Sequence, residues 1–147
     1  MRPLPRFVRL SQCGLLVIAL VLSVAADGNA QSHEWLLGNW SGTFGEATTP
    51  GTSSGSGTLT VREEAGTLKW TWTGEVSGGG KTEAEGVVTK VDASSAELQG
   101  KLIFHYIRTF IGVSVKMSLR VSPSGLSGTG WNDQINSTIA WEFTKGK

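Results

Sequence analysis

From Trp35 to Thr144, apolar and polar residues alternate at period two in one short run after another. No window of useful length shows apolar residues at helical three-four spacing between caps. Leu68, Trp70 and Trp72 oppose Lys69, Thr71 and Thr73. Val113, Val115, Met117, Leu119 and Val121 oppose Ser114, Lys116, Ser118 and Arg120. Ile139, Trp141 and Phe143 oppose Thr138, Ala140 and Glu142. Successive side chains of a strand point to opposite faces, so each run has one apolar face to bury and one polar face for water. The pattern argues against a helical bundle and leaves a β-sandwich or a β-barrel.

Turn signals at Glu64-Ala65-Gly66, Ser77-Gly78-Gly79-Gly80, Asp92-Ala93-Ser94-Ser95, Ser122-Pro123-Ser124-Gly125 and Asn132-Asp133-Gln134 separate the runs. Strands are expected at about 35–44, 57–62, 67–76, 81–91, 96–106, 113–121, 126–131 and 137–144. Gly45–Ser56 has no periodicity, is long for a hairpin, and is suited to fold over one mouth of a barrel. Gly86 is expected to mark a bulge or bend in the fourth strand. In the fifth, Ala96, Leu98, Gly100, Leu102, Phe104 and Tyr106 share the inward phase. The outward phase turns apolar at Ile103, His105 and Ile107, so that end reads as buried on both faces or covered by a partner. Apolar parity then switches from even to odd between Tyr106 and Val113, as a tight turn near Thr109–Gly112 or a bulge would produce. Sequential strands usually pair, and closing a sheet removes its edges. The expectation is therefore an all-β fold, a single antiparallel up-and-down β-barrel of about eight strands; two packed four-stranded sheets are the alternative.

The first 30 residues stand apart. Arg2, Arg6 and Arg9 precede an apolar run of 13 residues from Gly14 to Ala26, and the small residues Gly28 and Ala30 follow. A positive start, an apolar core of about 7–15 residues and a small-residue exit characterise a signal peptide, whereas a spanning helix needs about 20 apolar residues. Residues 1–30 are expected to be a signal peptide cut after Ala26 or Ala30, and 31–147 the barrel domain, secreted or periplasmic in a bacterium, with no stable membrane span. The one cysteine, Cys13, leaves with the leader. The mature chain would then lack disulfides and thiol chemistry and rely on its apolar core. The leader also holds three of the 13 Lys and Arg, which leaves ten against 12 or 11 Asp and Glu, a net charge of about −2 or −1. No basic run with interleaved aromatics remains, which speaks against nucleic acid as a partner.

Leu37-Gly38-Asn39-Trp40, at the head of the first strand and followed by serial hairpins, resembles the opening of the calycin group: lipocalins, fatty-acid-binding proteins and avidins. In that group Gly-x-Trp starts the first strand and the indole closes the base of the barrel. Gly38 and Trp40 carry the match, and the resemblance implies that both are structural residues of the base. The barrel-like layout extends over most of the chain after the leader. The chain departs from the group in having no helical lid after the first strand and no helix after the last. The biotin-contacting residues of avidins do not align with this sequence position by position, so the resemblance does not imply biotin binding.

No catalytic set assembles. His33, beside Glu34, and His105, among Ile103, Phe104 and Tyr106, form no two-histidine motif, and His105 is expected to be structural. There is no Gly-x-Ser-x-Gly elbow. Ser54-Gly55-Ser56-Gly57 and Gly78-Gly79-Gly80 open no helix that would receive a phosphate. Glu83 and Glu85 share a face, as charges on an outward strand face ordinarily do. The expectation is a non-enzymatic protein with no metal and no cofactor. The six tryptophans are the least ordinary feature. Trp70, Trp72, Phe104, Tyr106 and Trp141 fall on inward faces of the third, fifth and eighth strands and are the candidate lining of a pocket. A barrel of eight strands encloses room for side chains or for one small ligand. The expected function is a secreted or periplasmic binding module for a small apolar or lipid-like ligand. The alternative is a protein-interaction module, such as an inhibitor of an external hydrolase, working through Gly45–Ser56 and the neighbouring turns. A connected apolar cavity favours the first and a filled barrel the second. Mass spectrometry of the exported chain is expected to find an N-terminus at Asp27 or Gln31; an intact Met1 on a membrane-bound chain would overturn the leader.

Overall fold

The structure, a computed structural model, describes residues 33–46, 54–132 and 137–146. The leader with its cleavage sites, and residues 47–53 of the expected long loop, lie outside the described residues. Eight strands follow in order: β1 (Gly38–Glu46), β2 (Ser54–Glu64), β3 (Thr67–Val76), β4 (Gly80–Val91), β5 (Ser95–His105), β6 (Ser114–Ser122), β7 (Gly125–Asn132) and β8 (Ser137–Lys145). Each pairs antiparallel with the next and β8 returns to β1, which closes an up-and-down barrel. A short 3-10 turn, Arg108–Phe110, lies between β5 and β6. The expected loop Gly45–Ser56 is shorter than its composition suggested, because Gly45 pairs with Ser54 and Phe44 with Gly55 as the first rungs of a hairpin.

Alternation sets the interior. Trp70 and Trp72 on β3 are buried while Lys69, Thr71 and Thr73, which alternate with them, are exposed. Outward charges and inward indoles are the reverse of a barrel that faces lipid. No helix among the described residues is long and apolar enough to cross a membrane. An indole is too wide for a barrel of this size unless something small lies opposite it. Trp70 meets that limit at a facing glycine pair, Gly86 on β4 and Gly100 on β5. A Cβ on Gly100 would fall 2.6 Å from the Trp70 ring and 2.0 Å from the Glu85 carbonyl. With no side chain there, the Trp70 indole N–H reaches the carbonyls of Val87 and Gln99, each at 3.2 Å. Gly86 is therefore the seat of an indole rather than the expected bulge.

The bulges lie elsewhere, and each reverses a strand's parity. On β4, Val88 faces Leu98 and Lys90 faces Glu97, which leaves Thr89 as the extra residue; its hydroxyl donates to the Glu97 carbonyl at 3.1 Å. On β5, Ala84 faces Leu102 but Glu83 faces Phe104, which leaves Ile103 as the extra residue. Beyond it the inward phase passes from Phe104 to His105. The parity switch expected after Tyr106 thus happens inside β5, three residues earlier.

One end of the barrel is closed. Leu36, Trp40, Leu59, Val61, Leu98, Leu119, Leu126 and Phe143 are buried there as one cluster. The short segment before β1 packs over them. The Trp40 indole N–H donates to the Leu36 carbonyl at 2.9 Å, and the Trp35 N–H to the Asp92 carbonyl at 3.0 Å, in the β4–β5 turn. The Lys145 ammonium lies 5.3 Å from the centre of the Trp40 ring. Replacing Trp70 with Ala should remove about 3–5 kcal/mol of stability, the usual range for a buried aromatic. Lys69→Ala, on the outer face, should leave the urea midpoint unchanged. Urea melts of both variants check the register; equal losses would overturn it.

Candidate ligand cavity

The inner face changes character along the barrel axis. Toward the closed end it is filled by leucines and Phe143. Toward the other end, where β1, β3, β5 and β7 finish, it opens into a cavity of about 220 Å³. The floor is a cluster of rings from three strands. Trp72 meets Trp141 edge to face at 5.0 Å, and Phe44 lies 5.1 Å from Trp141 and 5.9 Å from Trp72. Trp141 also stacks on Phe143 below it at 5.7 Å. Such pairs are within the favourable range for aromatic contacts. Ala84, Leu102, Val115, Met117 and Ile139 complete the walls.

The polar groups of the cavity are few. Thr82, at the start of β4, accepts the Trp72 indole N–H at 3.1 Å and reaches back to the Gly74 carbonyl at 3.5 Å. Its hydroxyl is occupied by the wall itself. The Trp141 Nε1 is different: it is buried and has no hydrogen-bond partner among the described residues. An unmade bond of this kind ordinarily costs about 1–3 kcal/mol.

The mouth is built by the segment after β5. The Tyr106 backbone N–H donates to the Lys81 carbonyl at 3.1 Å, and its ring lies over Gly80, where a Cβ would fall within 2.3 Å of it. His105 stacks on Tyr106 at 4.6 Å and meets Phe110 edge to face at 4.9 Å. The Ile107 N–H donates to His105 Nδ1 at 3.0 Å, which ties the imidazole to the loop it supports.

The structure brings Trp70, Trp72 and Trp141 together on the cavity wall, with Tyr106 at its rim. Tyr106 is 51% exposed and stands just past the end of β5, so it borders the interior rather than filling it. Phe104 does not join them. The Ile103 bulge turns it outward, where it is 45% exposed on the rung with Glu83. The expectation that this end of β5 is buried on both faces fails for the same reason, since Ile103 is exposed as well. Gly38 begins β1 and Trp40 lies in the closed base, remote from the cavity. Sequence reasoning missed His105 as a lining residue; the apolar run Ile103, His105, Ile107 was its signal, because it showed that one parity could not hold to the strand's end. No group of three or more His, Cys, Asp or Glu among the described residues is placed to hold a metal ion.

No family model matches the chain, and no curated protein sequence matches it either. Its fold does match solved structures. A redesigned β-barrel superposes with a TM-score of 0.63 at 16% identity, covering 80% of this chain and 96% of that one. The redesigned barrel mFAP1, solved bound to DFHBI, gives 0.64 at 12% identity over 79% and 100% of the two chains. A de novo designed fluorescence-activating barrel gives 0.60 at 15% identity over 80% and 100%. At these identities the likeness is one of fold. The resemblance to the calycin group likewise extends to the barrel and not to membership of a family.

Burial holds the His105 imidazole below its ordinary value, partly offset by the Ile107 carbonyl. The unfolded chain therefore takes up the proton more readily than the folded one between that lowered value and about 6.5. Stability linked to His105 is present above about pH 6.5 and is lost as pH falls through the lowered value. NMR titration should place His105 below about 6.5, and His105→Gln should flatten the acid side of the stability curve. Titration at or above the ordinary value would contradict the inward, partly buried placement.

Proposed function

We propose that the protein is a non-enzymatic, exported barrel that binds one small apolar ligand in the cavity between the aromatic floor and the His105–Tyr106 mouth. The observation that carries the reading is a void of about 220 Å³ walled by rings and aliphatic side chains in an otherwise filled interior. An apolar cavity of about 150 Å³ admits benzene, and sites for drug-sized ligands span about 300–1,000 Å³. The volume here suits one or two fused rings better than the full length of a lipid chain. The binding of DFHBI by mFAP1, a barrel of the same fold, supports the reading. The competing reading, a protein-interaction module, called for a filled barrel.

Naphthalene is the simplest probe. Titrated against the protein, it should shift the indole N–H signals of Trp72 and Trp141 in a 15N–1H spectrum and leave those of Trp35 and Trp40 in place. Val115→Phe adds a ring to the cavity wall and should abolish the shifts without lowering the melting temperature. Unchanged binding by the filled variant would place the site elsewhere and sink the proposal.

A further inference from the structure

Six tryptophans are present, and the structure satisfies four of their indole N–H groups from within. Trp35 donates to Asp92, Trp40 to Leu36, Trp70 to Val87 and Gln99, and Trp72 to Thr82. Trp131 is 38% exposed and open to water. Trp141 is the exception. It is 7% exposed, and its Nε1 has no partner among the described residues. Buried indole N–H groups ordinarily find one.

The position of that N–H is specific. A Cβ on Gly130, the inward-facing residue of β7 opposite Ile139, would fall 2.7 Å from Trp141 Nε1. Gly130 and Trp141 both line the cavity. The missing side chain is what lets the N–H lie this close to β7, in the wall of the cavity that Trp72 and Phe44 also line. An indole nitrogen donates and does not accept. The other polar groups of the lining reinforce the asymmetry. The Thr82 hydroxyl is occupied by Trp72 and Gly74, and His105 Nδ1 by the Ile107 backbone.

Resting on the binding function proposed above, we infer that the ligand is a flat compound of one or two rings that carries a hydrogen-bond acceptor, a carbonyl or ring heteroatom, seated to receive the Trp141 N–H beside Gly130. The donor is already closed off from water, and a purely apolar ligand would leave it without a partner. A site whose buried polar group is left unpaired discriminates strongly against the analogue that cannot bond it.

Coumarin and naphthalene are similar flat bicycles, and the first carries a carbonyl. Coumarin should bind the wild-type protein at least about tenfold more tightly than naphthalene, a difference within reach of one hydrogen bond. Trp141→Phe keeps an aromatic ring and removes the donor; whatever the smaller floor does to either affinity alone, the ratio of coumarin to naphthalene affinity should fall to about one. In the wild-type protein the Trp141 indole proton should move downfield with coumarin and not with naphthalene, and this readout decides the matter if the variant does not fold. Equal affinities with no downfield shift would overturn the inference and leave the binding function standing. If neither compound moves any indole signal of the cavity, both fall.

Discussion

The width of this barrel is set by the Trp70 indole lying across Gly86 and Gly100. Eight strands enclose only enough space for a few side chains across the axis, and an indole fills most of it. The facing glycines remove two side chains from the opposite wall, and the ring then comes close enough to donate to the carbonyls of Val87 and Gln99. One side chain on β3 thereby fixes the distance to both β4 and β5. A methyl at Gly100 would strike both the ring and the Glu85 carbonyl, so the pairing depends on the absence of a side chain as much as on the presence of the indole.

The two ends of the barrel follow different rules from that waist. Toward the base, small gaps are filled by leucines and the end is closed by a segment whose indoles bond backbone carbonyls, Trp40 to Leu36 and Trp35 to Asp92. Those bonds satisfy polar groups and pack apolar ones in the same place, as a stable plug must. Toward the mouth, the closing segment is held by the His105–Tyr106 stack, the Phe110 edge and backbone bonds such as Tyr106 to Lys81 and Gly112 to Leu102, but its apolar side chains, Tyr106, Ile107 and Ile111, are exposed and none of Arg108–Phe110 is buried. Segments with few buried contacts open at the lowest free energy. The mouth is the end at which exchange with solvent is cheapest.

Period two makes most of this fold legible in the sequence. A half-buried strand must alternate, and β3, β6 and β8 alternate without interruption, so their inner faces and the places of Trp70, Trp72 and Trp141 could be read from the sequence. The turns were readable for a separate reason: Gly66, with a φ of +77°, and Gly78 and Gly79, at +107° and +97°, occupy backbone conformations that other residues rarely adopt. Bulges broke the reading. A bulge adds one residue to one strand and is visible only against its partner. From Leu98 to Tyr106 the even phase is continuous and apolar, and nothing local says that Ile103 is the extra residue rather than part of an unbroken face. Phe104 was misplaced and His105 overlooked by this one insertion. The cavity was equally out of reach, because a void depends on how rings from β1, β3 and β8 tilt against one another.

The Ile103 bulge ties these observations to the site. Without it, Phe104 would take the inward position that follows Leu102, on the side of the wall where the cavity now lies. With it, a polar imidazole takes the inner position and a phenyl is left in water, an exchange that lowers apolar burial. The unpaired N–H of Trp141 lies beside the same void. Three departures from what packing alone favours, an exposed Phe, an unfilled volume and an orphaned donor, thus meet at one end of the barrel. Scattered, each would be a small defect. Gathered around one ring-walled opening, they support the proposed guest, one that fills the volume and accepts a hydrogen bond from Trp141, because departures from local rules that cluster in this way are characteristic of functional sites.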